Sequence, residues 1–172
     1  TVSTSASSSY FGASPALVLS QVLGASDVLS GSSVAVEYQV ANQGNVALSD
    51  VSLSGASYVS GDTNADNILD IDEVWTYGET SLAAEGLHTL AADVTARDAL
   101  TDTTVSTSAS SSYFGAVVDW MIESQWDGVD SQEHPDLIVG ESFKLVYTLE
   151  NLGNVELSEI EVVGAVPIYS GQ

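Results

Sequence analysis

The sequence has no cysteine and almost no basic residues: lysine and arginine together number 2 in 172 residues. Without cysteine there is no disulfide framework, no thiol nucleophile and no thiolate ligand for a metal ion. Arg97 and Lys144 are too few to form the cluster of phosphate contacts that nucleic-acid binding needs. The 24 acidic residues give a net charge of −22, which an anionic membrane surface repels. We therefore expect neither nucleic acid nor membrane as a partner.

Long apolar runs are also missing, because no stretch reaches the roughly 18 residues that suggest a transmembrane helix. The opening letters TVST lack the basic start, apolar middle and cleavage site of a signal peptide. We expect no membrane insertion by this segment. Apolar residues nevertheless make up 44% of the chain and charged residues only 15%, which is not the composition of a disordered chain. The sequence is expected to fold.

Residues that carry catalysis are sparse. His88 and His134 are the two histidines, and without a further nitrogen or thiolate ligand they make a poor transition-metal site. The nucleophile motif G-x-S-x-G does not occur. The paired aspartates of residues 62–73 fit metal ligation better than glycoside hydrolysis. The sequence therefore predicts a protein that is not an enzyme.

What the sequence does contain is an internal repeat. Residues 1–13 and residues 104–116 are the same thirteen letters, TVSTSASSSYFGA. A weaker echo relates EYQVANQGNVALSDV, residues 37–51, to VYTLENLGNVELSEI, residues 146–160. A repeat of about a hundred residues has the size of an immunoglobulin-like (Ig-like) sandwich module.

The repeat predicts three segments. Residues 14–116 form one complete module, residues 1–13 are the last strand of a preceding repeat, and residues 117–172 are the front half of a following one. The sequence is then a window on a longer tandem array. Strand donation is the alternative, in which residues 1–13 complete the open sandwich of a neighbour. The predicted partners are neighbouring repeats or identical subunits arranged head to tail.

Alternation of apolar with small or polar residues predicts β-strands, and no segment has a sustained helical period. The alternating positions are Val34, Val36, Tyr38 and Val40 in one run and Leu90, Ala92, Val94 and Ala96 in another. The letters NQGN at residues 42–45 predict a hairpin turn between two strands, and residues 55–61 also predict a turn. The predicted fold class is all-β, with Ig-like Greek-key β-sandwich modules in tandem.

Residues 62–73, DTNADNILDIDE, carry the most specific chemistry. Aligned with the twelve-residue EF-hand loop, they place oxygen-bearing side chains at positions 1, 3, 5 and 9, a backbone carbonyl at 7 and a glutamate at 12. Leu69 at position 8 can anchor the loop to the core. Asn67 replaces the usual glycine, and asparagine also tolerates left-handed backbone. The predicted Ca²⁺ ligands are Asp62, Asn64, Asp66, the carbonyl of Ile68, Asp70 and Glu73.

A solvated acidic loop and a magnesium site are the alternatives. The first must hold five carboxylates together with no lysine or arginine nearby in sequence, and their repulsion favours a bound cation. Magnesium prefers a smaller octahedral shell with retained waters. The flanking residues predict strands and turns instead of the helix pair of a calcium sensor, so the predicted role of calcium is structural.

These motifs together resemble a known family. The runs NQGNVALSDV at residues 42–51, GDTNADNILD at 61–70 and EVWTY at 73–77 are similar to the tandem Ig-like repeat modules of bacterial and archaeal cell-surface proteins, with an EF-hand or dockerin-like calcium loop. The resemblance implies an extracellular location at the cell surface. It also implies a structural or adhesive function in a stalk, matrix fibre, filament or surface layer.

The competing function is a carbohydrate-binding or spacer module of a secreted enzyme, with glycans as partners. Trp75 and Tyr77 alternate along one predicted strand, so they offer a sugar-stacking platform if exposed and a core if buried. The sequence also leaves a second ion site as a possibility, at acidic residues whose spacing matches no standard loop. These residues are Asp119, Asp127, Asp130, Glu133 and Asp136.

Overall fold

The computed structural model describes residues 1–126, 129–130, 140 and 144–163. These residues form an all-β structure, and among them no helix is long and apolar enough to span a membrane. The chain divides into two compact units, Thr1–Gly115 and Ala116–Gln172. Each unit is described by itself below.

Eight strands between Leu17 and Ala116 form two four-stranded sheets. The strands are β1 Leu17–Leu23, β2 Asp27–Leu29, β3 Ser33–Asn42, β4 Leu48–Leu53, β5 Ser57–Ser60, β6 Val74–Leu82, β7 Gly86–Asp98 and β8 Thr104–Ala116. Sheet 1 has the order β1-β3-β6-β5, and sheet 2 has the order β2-β8-β7-β4. The two sheets share one hydrophobic core, so this unit is a β-sandwich, as the alternating pattern predicts.

The core lies between β3 of sheet 1 and β7 of sheet 2. Alternate side chains of β3 point inward, from Val34 at 2% exposure to Val40 at 0%. On β7, Val94 and its alternating neighbours Ala92 and Ala96 are equally buried. Each fully buried valine or larger side chain contributes about 1.5–3 kcal/mol relative to exposure. The strand predictions for both runs are therefore confirmed.

Two turn predictions are wrong. Residues 42–45 do not close a hairpin, because β3 lies in sheet 1 and β4 in sheet 2, so the segment crosses between the sheets. Gly44 is needed there for close approach and not for positive φ: a Cβ atom would lie 2.7 Å from the Ser14 carbonyl oxygen. Residues 55–61, predicted as a turn, contain the edge strand β5, which pairs with β6.

Asn45 holds the chain where it enters β1. Its Oδ1 accepts the Ser14 N–H at 2.6 Å, its Nδ2 donates to the Gly12 carbonyl at 2.8 Å, and its own N–H donates to the Ser14 carbonyl at 3.2 Å. We call these three hydrogen bonds the Asn45 clamp. The clamp fixes Gly12 and Ser14 at the end of the sandwich where β3 crosses to β4.

Over its described residues the second unit forms one three-stranded sheet. Its strands are β9 Trp120–Trp126, β10 Val129–Asp130 and β11 Leu145–Asn151, in the order β10-β9-β11. Trp120 pairs with Asn151 at one end of β9, just as Leu17 pairs with Asn42 at the same end of β1. Asn154 Oδ1 accepts the Val117 N–H at 2.7 Å, which is the counterpart of the Asn45 clamp.

The two identical thirteen-residue segments differ in structure. Residues 104–116 form β8, which pairs with β7 along its length and buries Tyr113 to 4% exposure. Residues 1–13 form no strand, and Tyr10, the counterpart of Tyr113, is 96% exposed. The same sequence is therefore a paired strand in one place and an unpaired segment in the other.

Tyr38 at the centre of β3 is expected to make the stability of the fold depend on pH in alkali. Its hydroxyl donates to Glu79 Oε2 at 3.0 Å, and burial together with this carboxylate raises the pKa of Tyr38 to about 12. Because the pKa is raised from 10.0, its contribution to stability is complete below pH 10 and is lost as pH rises towards 12. We expect urea denaturation between pH 10 and 12 to show a steeper loss of unfolding free energy in the native protein than in Tyr38→Phe. Parallel pH profiles for the two proteins would contradict this assignment.

Candidate metal centre

The loop predicted to bind calcium joins β5 to β6, and a glycine makes its start possible. Gly61 has a φ of 125°, and a Cβ atom there would overlap the carbonyl oxygen of Val74 at the start of β6. The next residue, Asp62, donates its N–H to the hydroxyl oxygen of Tyr58 at 2.8 Å. The loop therefore begins tight against the strand to which it returns.

Asp62 organises the first half of the loop. Its Oδ1 accepts the N–H groups of Ala65 at 2.7 Å and Asp66 at 3.3 Å, and its Oδ2 accepts that of Asn67 at 2.9 Å. Asn67 has a φ of 62°, which confirms the left-handed backbone expected at this position. The chain thus wraps around the Asp62 carboxylate.

Asn64, Asp66 and Asp70 are brought together at the open side of the loop. Asn64 Nδ2 donates to Asp66 Oδ2 and to Asp70 Oδ2, each at 3.0 Å. The positive end of the amide dipole therefore lies between two carboxylates, in the place that a cation would favour. Rotation of the amide would turn Oδ1 towards a cation bound between these carboxylates, as a further oxygen ligand.

Leu69 fastens the loop to the core, as its position predicts. Its side chain is fully buried, and its backbone exchanges hydrogen bonds with Leu48 of β4 at 2.8 and 3.0 Å. Asn42 Nδ2 also donates to the Leu69 carbonyl at 3.0 Å. On the other side of Leu69, Ile68 donates its N–H to Asp66 Oδ1 at 2.8 Å. The carboxylate-bearing residue Asp70 therefore follows directly after a residue of the packed interior.

Glu73 lies at the closing end of the loop, and its carboxylate already has four donors. Oε1 accepts the N–H of Thr63 at 2.8 Å and its hydroxyl at 2.6 Å. Oε2 accepts the Asp70 N–H at 3.2 Å and the indole N–H of Trp75 at 3.0 Å. A carboxylate has about four lone-pair sites, so these bonds use its full capacity. In this geometry Glu73 joins the two ends of the loop to the core.

The acidity of Glu73 follows from these bonds. The Thr63 hydroxyl and N–H, with help from Trp75 and Asp70, outweigh the effect of burial and lower the pKa of Glu73 to about 2. Hydrogen bonds that favour the charged form lower a carboxyl pKa in this way. Glu73 is therefore a buried, charged group that the protein itself stabilises.

Of the five side chains predicted to bind calcium, four suit the ion as they stand, whereas Glu73 does not. Asp62, Asn64, Asp66 and Asp70 supply hard oxygen donors on one loop, which suit calcium. Glu73 would have to give up hydrogen bonds to become the bidentate ligand. Within the described ranges, no group of three or more His, Cys, Asp or Glu side chains stands in an arrangement that holds a metal ion. The Ile68 carbonyl and Glu73 stay predicted ligands.

The aromatic residues beside the loop form a compact cluster. The Tyr58 ring stands edge-on to Trp75 at 5.5 Å and to Tyr77 at 5.7 Å. Trp75 and Tyr77 are buried, at 6% and 5% exposure, while Tyr58 is half exposed. Two of the three rings therefore belong to the core and offer little surface for stacking a sugar.

The histidines and the residues of the predicted second ion site are not part of this loop. His88 stacks on Tyr113 at 5.4 Å, and its Nε2 lies 2.9 Å from the Glu85 carbonyl oxygen, so it has partners within its own unit. Asp119 is exposed. The remaining positions of the second ion site, and the other histidine, fall outside the described residues or side chains. These are Asp127, Asp130, Glu133, Asp136 and His134.

Two residues that shape the loop were not among the predicted site residues. Thr63 donates twice to Glu73, and Tyr58 holds the N–H of Asp62. The echo of YVSG, residues 58–61, in YSG, residues 169–171, was the one signal in the sequence for Tyr58. Comparison of the chain with protein-family models and with curated proteins finds no match. Function is therefore inferred from the loop and from the sandwich that carries it.

Proposed function

We propose that the chain is an extracellular structural or adhesive protein whose Ig-like modules are stiffened by calcium. One observation carries this proposal: the carboxylates of Asp66 and Asp70 converge on one point of a loop that is fastened to the core through Leu69. A cation at that point would hold β5, β6 and β4 together. The loop is flanked by the strands β5 and β6 and not by the helix pair that would convert binding into a movement.

Charge supplies the physical reason for a bound cation. The chain has a net charge of −22, and residues 62–73 carry five carboxylates. Calcium would replace the Asn64 amide between Asp66 and Asp70 with a full positive charge. Free calcium at ten times its dissociation constant adds about 1.4 kcal/mol of stability per site. Repeated over several modules, such increments would stiffen an array.

The second unit supports a tandem arrangement. Its β9–β11 pair has the register of β1–β3, and the Asn154 contact to Val117 matches that of Asn45 to Ser14. In the proposed array residues 14–116 are one module, and residues 1–13 and 117–172 belong to its neighbours. A stalk, fibre, filament or surface layer at the cell surface is the setting that such modules suit.

The proposal assigns no catalytic role to any residue and no sugar-binding role to the aromatic cluster. Trp75 and Tyr77 were the residues whose exposure would favour a carbohydrate-binding module, and both are buried. The Trp75 indole N–H also donates its hydrogen bond to the Glu73 carboxylate and is therefore not free to bind a sugar. Burial of this kind supports the structural role.

Calorimetric titration with Ca²⁺ tests the proposal. We expect one site in the first unit with a dissociation constant of about 10⁻⁴–10⁻³ M, as for extracellular modules. The double variant Asp66→Asn/Asp70→Asn should lose at least about tenfold in affinity, because two converging carboxylates are removed. A matched control, Asp27→Asn/Asp93→Asn, removes two exposed charges outside the loop and should bind normally.

Thermal unfolding at constant ionic strength provides the second arm of this test. Calcium should raise the melting temperature of the native protein, while the same concentration of magnesium should reproduce only the effect of screening. A calcium-induced rise that survives in Asp66→Asn/Asp70→Asn would place the ion elsewhere. The absence of any calcium-specific rise would remove the structural role.

A further inference from the structure

We propose that a cleft between the edge strands β4 and β5 binds the side chain of a lysine that a basic partner protein supplies. The cleft has a volume of about 380 Å³. Its lining comes from β4, β5, β6 and the start of the loop, and it includes Asp50, Val51, Tyr58, Asp62, Trp75 and Tyr77. The inference goes beyond the proposed function, because it holds whether or not the loop binds calcium.

The cleft lies at the open side of the sandwich. β4 is an outermost strand of sheet 2 and β5 is an outermost strand of sheet 1. Tyr58 on β5 pairs with Tyr77 on β6, so the two side chains share the inner face of sheet 1. The Tyr58 ring stands at 75° to the ring of Trp75 and at 82° to that of Tyr77. The three rings therefore form a corner, with Trp75 and Tyr77 on its inner side and the half-exposed Tyr58 nearer the solvent.

The hydroxyl of Tyr77 is a polar group that the fold leaves without a partner. The residue is 5% exposed, and its hydroxyl makes no hydrogen bond to any residue that the structure describes. The two other tyrosines buried in the first unit do have partners: Tyr38 donates to Glu79, and Tyr113 accepts the Ala84 N–H. A buried tyrosine hydroxyl normally has such a partner. Tyr77 therefore offers a hydrogen-bond acceptor to a ligand in the cleft.

Two carboxylates make the cleft negative. Asp50 lies at its mouth, with a side chain that is 78% exposed and 4.0 Å from Arg97 Nε. Arg97 is held more closely by Asp102, at 2.6 Å, so it neutralises Asp50 only weakly. Asp62 is half-buried, and no cation in the described part of the chain forms a salt bridge with it. The electrostatics of the cleft therefore favour a positively charged ligand.

A lysine side chain fits this combination of groups. Its ammonium carries three N–H donors for the Tyr77 oxygen and the carboxylates, and a cation also gains from nearby aromatic rings. The methylene groups of its stem would lie against the rings and Val51. Arginine fits less well, because a planar guanidinium suits two free oxygens of one carboxylate, and the loop N–H groups already occupy those of Asp62. A sugar needs a broad ring face, which Trp75 and Tyr77 do not expose.

The partner that the charge balance favours is a different protein and not a second copy of this chain. The chain has 24 acidic residues and 2 basic ones, so two copies repel each other while a basic protein is attracted. Pairing of a partner strand with either edge is opposed by irregular register, between Ser49 and Ser52 in β4 and between Tyr58 and Ser60 in β5. Recognition therefore depends on a side chain that enters the cleft.

An NMR titration with calcium chelated tests the proposal, so that its failure would leave the calcium proposal untouched. The probe is a blocked pentapeptide with one lysine between two pairs of glycines, and the control is the same peptide with its lysine acetylated. The lysine peptide should shift the amide signals of the residues that line the cleft. It should bind at least about tenfold more tightly than the acetylated peptide, which lacks the positive charge. Equal binding of the two peptides would overturn the proposal.

A pair of charge variants separates the cleft from the general charge of the surface. Asp50→Asn removes the carboxylate at the mouth without backbone strain, because the φ of 50° at this residue also suits asparagine. It should weaken binding of the lysine peptide about three- to fivefold. Asp93→Asn removes an exposed charge outside the cleft and should change binding by less than about twofold. An equal loss in both variants would mean that the peptide responds only to the net charge, and the proposal would fail.

Tyr77→Phe tests the inner end of the cleft. The variant deletes only the hydroxyl, and because that group makes no hydrogen bond to the described residues, the protein should fold as the native one does. Loss of an acceptor for a charged donor should weaken binding of the lysine peptide about tenfold. A Tyr77→Phe protein that binds this peptide as tightly as the native protein would show that the lysine does not enter the cleft.

Sedimentation of the native protein tests the other occupant, a second copy. At about 100 µM the protein is expected to stay monomeric, because like charges oppose self-association. The chain has one lysine, Lys144. A dimer that Lys144→Gln abolishes would assign the cleft to a second copy and overturn the choice of partner.

Discussion

Replacing Leu69 with alanine is expected to lower the free energy of unfolding of the first unit by about 3–5 kcal/mol, the cost of emptying a fully buried leucine site that cannot collapse. Collapse is limited because the Leu69 backbone is held by two hydrogen bonds to Leu48 and one from Asn42. The cavity would therefore remain between the loop and β4. Calcium affinity should fall as well, because the same residue holds Asp70 in place.

Urea denaturation followed by tryptophan fluorescence measures this loss. A background with Trp120→Phe and Trp126→Phe leaves Trp75 as the single reporter of the first unit, since the chain has 3 tryptophans. Ile71→Ala is the matched control: it shortens an aliphatic side chain of the same loop that is 51% exposed, and it should cost less than about 1 kcal/mol. A loss below about 1 kcal/mol in Leu69→Ala would mean that the loop does not depend on this anchor.

The strands of the sandwich could be predicted because their information is local. Val34 to Val40 and Ala92 to Ala96 alternate with a period of two, and burial of every second residue is what the structure shows. Leu69 was predicted as an anchor from the loop alignment, in which it is the apolar residue at position 8. In both cases the hydrophobic effect acts on single side chains and leaves a pattern in the sequence.

The connection at residues 42–45 could not be predicted in the same way. Asparagine and glycine suit a hairpin, but they suit equally a crossing between sheets in which Gly44 lies against the entering chain and Asn45 clamps it. Which of these forms depends on the partners of β3 and β4. Those partners are β1, β6 and β7, and pairing at such sequence separation leaves no local pattern.

Glu73 illustrates a limit of the loop alignment. The EF-hand pattern specifies a glutamate at position 12, but it says nothing about Thr63 at position 2 or Trp75 beyond the loop, and these residues donate to the carboxylate. Two roles therefore compete for Glu73: a bidentate ligand of calcium, and a group that ties the loop together without any ion. Four hydrogen bonds to a charged acceptor favour the second role when calcium is absent.

The variant Glu73→Gln separates the two roles, and it is expected to lower the unfolding free energy by about 2–4 kcal/mol even with calcium chelated. A glutamine oxygen can accept from two donors, but its NH₂ group then faces the other two. The Trp75 donor is buried and the other three are partly buried, and a donor left without an acceptor in such a place costs about 1–3 kcal/mol. Asp72→Asn is the control, because it removes one charge from an exposed residue of the same loop whose left-handed φ of 66° suits asparagine. If Glu73 acted only as a calcium ligand, the two variants would be equally stable under chelation.

The unfolding free energy at low pH provides an independent test with the same variant. The pKa of Glu73 is lowered from 4.5 to about 2 by the Thr63 hydroxyl and the donors around it. The stability that this carboxylate contributes is therefore complete above pH 4.5 and is lost as pH falls towards 2. The gap in unfolding free energy between the native protein and Glu73→Gln should narrow across that interval, because glutamine has no proton to gain. A gap that stays constant from pH 6 to pH 2 would mean that Glu73 is not held in its charged form by these hydrogen bonds.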